Sequence, residues 1–185
     1  MIFLKYHPLE TSIKDNPKAY FFSLLIATIL VQSILAITGN SLKTLAAPMG
    51  ILSYEFALNI ENAQFIVNSW DKHALIAASF NIGFDYLFLF CYSTTIAFAC
   101  IWLANLIGNV TFAKIAYGLA WLQWIAACLD GIENAALYIF LLSPTQAICP
   151  PIAFWCATFK FLLVIMGILY ILIASIFLLI KRIKS

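Results

Sequence analysis

Apolar residues run almost unbroken through four stretches of this chain, residues 19–38, 74–107, 115–142 and 152–180. A helix needs about 20 residues to cross a hydrocarbon layer about 30 Å thick, so each stretch is long enough. The pattern predicts an all-α integral membrane protein, a four-transmembrane-helix bundle forming a single membrane domain over residues 1–185. Spans two to four run to about 30 residues and must tilt or protrude from the bilayer. Asp15-Asn16-Pro17 reads as the start of span one and Gly39-Asn40 as its end, while Ser143-Pro144 and Pro150-Pro151 bracket the turn between spans three and four. No proline interrupts a span, and span one reads as a retained anchor rather than a cleaved leader.

Between spans one and two, residues 48–70 place Ile51, Leu52, Phe56, Ile60, Ala63 and Val67 at helical spacing, with Glu55, Asn59, Glu61 and Asn62 between them. This predicts one amphipathic helix at the interface, with Glu55 on its solvated face. Folded over the bundle, the same helix would be a lid that carries Glu55.

Composition agrees with the hydropathy pattern, since 64% of residues are hydrophobic and only 10% charged, against about a quarter charged in soluble domains. The net charge of +2 and the placing of cations at the termini give no footprint for nucleic acid. Membrane lipids are the expected surroundings. Five cysteines without a Cys-x-x-Cys pair read as small core residues, with Cys149 alone placed for exposure. His7 and His73 fall outside the spans, which argues against a haem or zinc site, and no motif names a cofactor.

Orientation follows from short-loop lysines and arginines. Lys5, Lys14, Lys18, Lys114, Lys181, Arg182 and Lys184 lie on one side, and Lys43 and Lys72 on the other, which predicts both termini in the cytoplasm. The sequon Asn109-Val110-Thr111 then faces the cytoplasm and carries no glycan.

Against this background four charged residues stand inside the spans: Asp85, Asp130, Glu133 and Lys160. From the predicted outer ends, Asp85 lies about 15 Å down, Glu133 and Asp130 about 14 to 19 Å, and Lys160 about 12 Å, so three helices bring their charges to one level. Gln32 of span one falls in the same layer. On span three Gln123, Asp130, Glu133, Asn134 and Tyr138 share a helical face, and on span two Asn81, Asp85 and Tyr92 do the same. Lipid offers such groups no partner, so these faces point into the bundle.

The predicted ligand-binding set is therefore Asp85, Asp130, Glu133, Asn134, Lys160, Gln32 and Asn81, with Glu55 as the lid residue and no metal site. Three carboxylates against one lysine in low dielectric favour a proton, a cation or an amine. Trp70, Trp102, Tyr117 and Trp155 fall near predicted interfaces and read as anchors, and Tyr170 is buried with a hydroxyl that needs a partner.

Asp130-Gly131 matches the opening of the CDP-alcohol phosphotransferase motif, but the later glycine and paired aspartates are absent, so the chain is not read as a member. Intramembrane acids and tryptophans on four helices look broadly like the sterol isomerase and sigma-2 receptor class, with no motif matched residue by residue. Small multidrug transporters are similar in having four spans and a membrane carboxylate, but they place the acid in span one.

Three readings stay open from sequence. The first is an acidic pocket in the outer half of the bilayer that binds, and in one version transports, a cation, a polar or amine-bearing small molecule or a lipid head group. A homodimer would make transport easier to credit, because four helices enclose little room. The second is an intramembrane acid/base enzyme acting on a lipid or sterol-like substrate, and the third a structural or accessory subunit whose charges serve assembly.

Overall fold

The computed structural model of the protein describes residues 7–10 and 16–183. Lys5, Lys14, Asp15 and Lys184, used above for orientation and capping, lie outside the described residues. The fold is all-α, with four long apolar helices and short helices between the first and the second. By length and composition all four can cross a membrane, which makes the protein a multi-pass membrane protein.

Helix α1 (Pro17–Thr38) starts with a proline in its first turn, where no amide partner is lost, and Asn16 Oδ1 accepts from the Ala19 amide at 3.2 Å. It ends in a 3-10 turn, Gly39–Leu42. Two short helices follow, α2 (Ile51–Glu55) and α3 (Ile60–Asn68), in place of the single helix expected over 48–70. The break comes at Leu58, which takes φ +64°, and Asn59 then caps α3 by accepting from the Asn62 amide at 2.9 Å. No glycine or proline marks this break in the sequence.

Helix α4 (Lys72–Ile107) is capped by Asp71, whose Oδ1 accepts from the Ala74 amide at 2.8 Å, and it stops at Gly108 with φ +69°. Asn109 caps α5 (Val110–Leu142) through the Thr111 amide at 2.8 Å, so α5 begins five residues before its apolar run. Helix α6 (Cys149–Ile183) begins before Pro150 and Pro151 because a first turn tolerates proline.

The chain divides into two compact units. One, made of residues 29–89 and 128–160, buries Leu42, Tyr54, Trp70, Leu137, Phe140 and Cys149 in a common core. Cys149 is buried there, not exposed as expected, because it packs into the same core as Tyr54, Leu137 and Phe140. Trp70 is buried too, its indole donating to the Leu42 carbonyl at 2.9 Å, so it is a core residue and not an interfacial anchor.

The second unit comprises residues 1–28, 90–127 and 161–185. Its core packs Cys100, Ala104, Ala116, Leu119, Tyr170 and Ala174, the small residues letting helix backbones approach. The Tyr170 hydroxyl finds its partner in the Phe112 carbonyl at 3.2 Å. Buried Gln123 donates to the Leu163 carbonyl at 2.9 Å, and Thr28 and Thr95 share a hydroxyl hydrogen bond at 2.8 Å. His7 is buried between Trp121 and Trp124, with ring centroids 4.9 and 4.6 Å away.

Candidate functional site

The site lies wholly within the unit of residues 29–89 and 128–160. Asp130 and Glu133, three apart on α5, occupy one face of the helix, and Lys160 reaches them from α6. Its ammonium donates to Asp130 Oδ1 at 2.6 Å and to Glu133 Oε1 at 2.9 Å, with Glu133 Oε2 at 2.8 Å. All three residues are buried. A side chain as long as lysine can deliver its charge from a neighbouring helix, and here it has three donors for two carboxylates.

A fourth member comes from the linking segment. Glu55, the last residue of α2, is buried, and its Oε2 lies 3.7 Å from Lys160 Nζ, an ion pair too long for a hydrogen bond. The expectation that Glu55 sits on a solvated helix face is therefore corrected. A continuous helix through residues 48–70 would have carried it outward, but α2 ends at Glu55 and the chain turns. Tyr54 beside it is 1% exposed and donates its hydroxyl to the Leu137 carbonyl of α5 at 2.9 Å, which fixes α2 over the acids.

Glu55 and Glu133 thus approach the same ammonium, at 3.7 and 2.8 Å. Burial first, and then the nearby Asp130 charge, push the Glu55 carboxyl above the usual glutamate range, with Lys160 acting in the opposite direction. Among the described residues no group donates a hydrogen bond to Glu55 Oε2.

Asp85 of α4 completes the cluster. It is half-buried and accepts from Asn134 Nδ2 at 2.7 Å, and it interacts electrostatically with Asp130, Lys160 and Glu55. Four carboxyl groups, Glu55, Asp85, Asp130 and Glu133, thus face the single ammonium of Lys160. With all of them ionised the excess of negative charge would be held in low dielectric, which is costly unless protons or a cation offset it.

The sequence-predicted residues divide accordingly. Asp85, Asp130, Glu133, Asn134 and Lys160 come together, and Glu55 joins them. Asn81 is buried but serves elsewhere, donating to Thr38 Oγ1 at 2.9 Å and to the Ala77 carbonyl at 3.0 Å. Gln32 is exposed on α1, and among the described residues no hydrogen bond joins it to the acids. Tyr138 is exposed as well, although it shares a helical phase with Asn134. Among the described residues no group of histidine, cysteine and acidic side chains has a metal-binding arrangement.

No family model matches the chain, and no curated protein or solved structure is significantly similar to it. Function is therefore argued from the residues of the site.

Proposed function

We propose that the acid cluster binds a proton or a small cation, protonated amines included, with Lys160 as its built-in counter-ion. The observation that carries this reading is the convergence of Glu55, Asp130 and Glu133 on one ammonium, with Asp85 held beside them by Asn134. Because carboxylates outnumber the lysine, an added positive charge relieves repulsion inside the protein and does not create it. An entering cation would take over one carboxylate, and the Lys160 ammonium would keep the others. Asp85, half-buried and held by Asn134, is the member best placed to meet a ligand from water. The distribution of lysine and arginine supports cytoplasmic termini, with the cluster toward the opposite face of the membrane.

The test is thermal unfolding of purified protein against sodium, potassium, methylammonium and a pH series, for wild type and Asp85→Asn. A bound cation raises the midpoint by mass action, and the variant loses that dependence. Equal responses of the two proteins to every cation and to pH would remove the reading.

A second reading draws support from two buried carboxyls, Glu55 and Glu133, that approach one ammonium, so that one can be protonated while the other is ionised. Such a pair is the equipment of general acid/base chemistry on a lipid or sterol-like substrate. It predicts turnover in lipid extract with a bell-shaped pH profile that Glu133→Gln abolishes.

A further inference from the structure

We infer that the protein pairs with a second copy of itself along the outward face of α1, where the Gln32 amide meets its two-fold-related counterpart. The inference stands apart from the cation reading, because no residue of the acid cluster takes part in it.

Gln32 carries it through its depth and its lack of a partner. Helix α1 and the 3-10 turn after it form a span of 26 residues, Pro17–Leu42, and Gln32 lies within one helical turn of the middle of that span. The nearer end, Leu42, is about 15 Å away along the axis, so the amide cannot bend back to the head groups. The residue is exposed, and among the described residues no group hydrogen-bonds to its amide. In hydrocarbon, where no water reaches it, such an amide leaves two N–H donors and a carbonyl acceptor unsatisfied. Ser33 and Thr38 on the same helix meet this need internally, donating to the Ile29 carbonyl at 2.7 Å and to the Ile34 carbonyl at 2.8 Å. Gln32 makes no such bond.

A second copy supplies the missing partner by symmetry. Copies inserted with the same topology run their α1 helices parallel and place both Gln32 side chains at one depth, whereas an unrelated partner would have to bring its own polar group to that level. An amide donates and accepts at once, so two of them related by a two-fold axis along the membrane normal close a reciprocal pair of hydrogen bonds. The residues around Gln32 form a matching seam. Ile29, Gln32 and Ala36 follow the alternating spacing of three and four that packs parallel helices at a shallow crossing angle, with Ser33 beside them. All four are exposed, and Ser33 and Ala36 are small enough to let two backbones approach. Along α1 only Val31 is buried by the rest of the chain, so this face is open to a neighbour. One polar residue in an otherwise apolar seam also sets the register of the pair.

The test counts protomers by single-molecule photobleaching of full-length protein, fused to a monomeric fluorescent protein, in vesicles over a series of protein-to-lipid ratios. Wild type should dimerise. Gln32→Leu should weaken the dimer about 3- to 30-fold, the range for interhelical polar contacts in membranes, and Gln32→Asn should keep part of the affinity. The face is located by oxidative cross-linking of Ala36→Cys and Ile34→Cys, which point to nearly opposite sides of α1, each read against wild type because Cys128 is itself exposed. Ala36→Cys should give a covalent dimer, and Ile34→Cys should not exceed wild type. These cross-links leave Gln32 in place, so they test the face independently of how Gln32→Leu folds.

A wild type that stays monomeric at every ratio overturns the inference. A dimer that Gln32→Leu leaves unchanged, or one that cross-links through Ile34→Cys and not through Ala36→Cys, overturns it as well. So does a monomer that carries a lipid or a second protein shed by Gln32→Leu, since the amide would then have a different partner.

Discussion

Lys160 and Asp130 meet at 2.6 Å between helices α6 and α5, both side chains almost fully buried, and the same ammonium holds Glu133. The lysine thereby neutralises a position that would otherwise carry several carboxylates with nothing to offset them. Lys160→Met should destabilise the protein by about 3–5 kcal/mol, because it leaves buried charge unpaired. Reversible denaturation in mixed micelles measures this. Adding Asp130→Asn should recover part of the loss, with a coupling of about 0.5–3 kcal/mol. Independent, additive effects of the two substitutions would show that the pair does not act as a unit.

Gly167 tests the close approach of helices in the other unit. A Cβ there would stand 2.7 Å from Gln123 Nε2 and 2.7 Å from Ile96 Cγ2. Gln123 is committed to the Leu163 carbonyl and Ile96 is packed in the core, so neither side chain gives way freely. Gly167→Ala should destabilise by about 1–3 kcal/mol through overpacking, less the gain of up to about 1 kcal/mol from helix propensity. Gly83→Ala is the control, since nothing lies within 4 Å of its added methyl, and it should be neutral or stabilising. Thermal unfolding of both variants decides the comparison.

The membrane spans and most of the cluster were legible in sequence because hydropathy and helical rise depend on local composition alone. Depth placed Asp85, Asp130, Glu133 and Lys160 at one level, and phase aligned Asn134 with Asp130, and the structure joins these residues. The solvated-face expectation for Glu55 fails because a 3.6-residue period reads straight through Phe56, Ala57 and Leu58, while its place over the site is the one the lid reading names. Leu58 takes a positive φ without being glycine, and only Asn59, a helix-capping residue in mid-pattern, hints at a second start. Depth alone also drew in Gln32 and Asn81, because it says nothing of azimuth. Gln32 is exposed on α1, and Asn81 is committed to Thr38.

Tyr54 separates the anchoring of the linking segment from its chemistry. Its hydroxyl donates to the Leu137 carbonyl at 2.9 Å, and burial pushes the phenol well above its usual range, so it stays a donor throughout the working pH. Tyr54→Phe should cost about 0.5–1.5 kcal/mol, the net worth of one hydrogen bond. Hydrogen exchange should localise the loss to residues 51–68. Uniform loosening of the whole chain would instead place Tyr54 in the global core.

His7 gives the N-terminal segment a pH response of the opposite sign to that of Glu55. Burial between Trp121 and Trp124 lowers its pKa from 6.5 to about 4, and its Nδ1 accepts from the Leu9 amide at 3.3 Å, which leaves the proton of the neutral ring on Nε2. Undocked histidine binds a proton below about pH 6.5, while docked histidine resists doing so until about pH 4. The docked state therefore loses stability as pH falls through that window, and above it the histidine has no effect on docking. Glu55, whose carboxyl is raised by burial, instead favours the folded state in acid and loses that contribution as pH rises from the ordinary glutamate range upward. Acidification should consequently release residues 7–10 from Trp121 and Trp124 while Glu55 stays in place. Tryptophan fluorescence between pH 7 and 4 should change in wild type and stay level in His7→Phe. A change of equal size in the variant would assign the acid transition to some group other than His7.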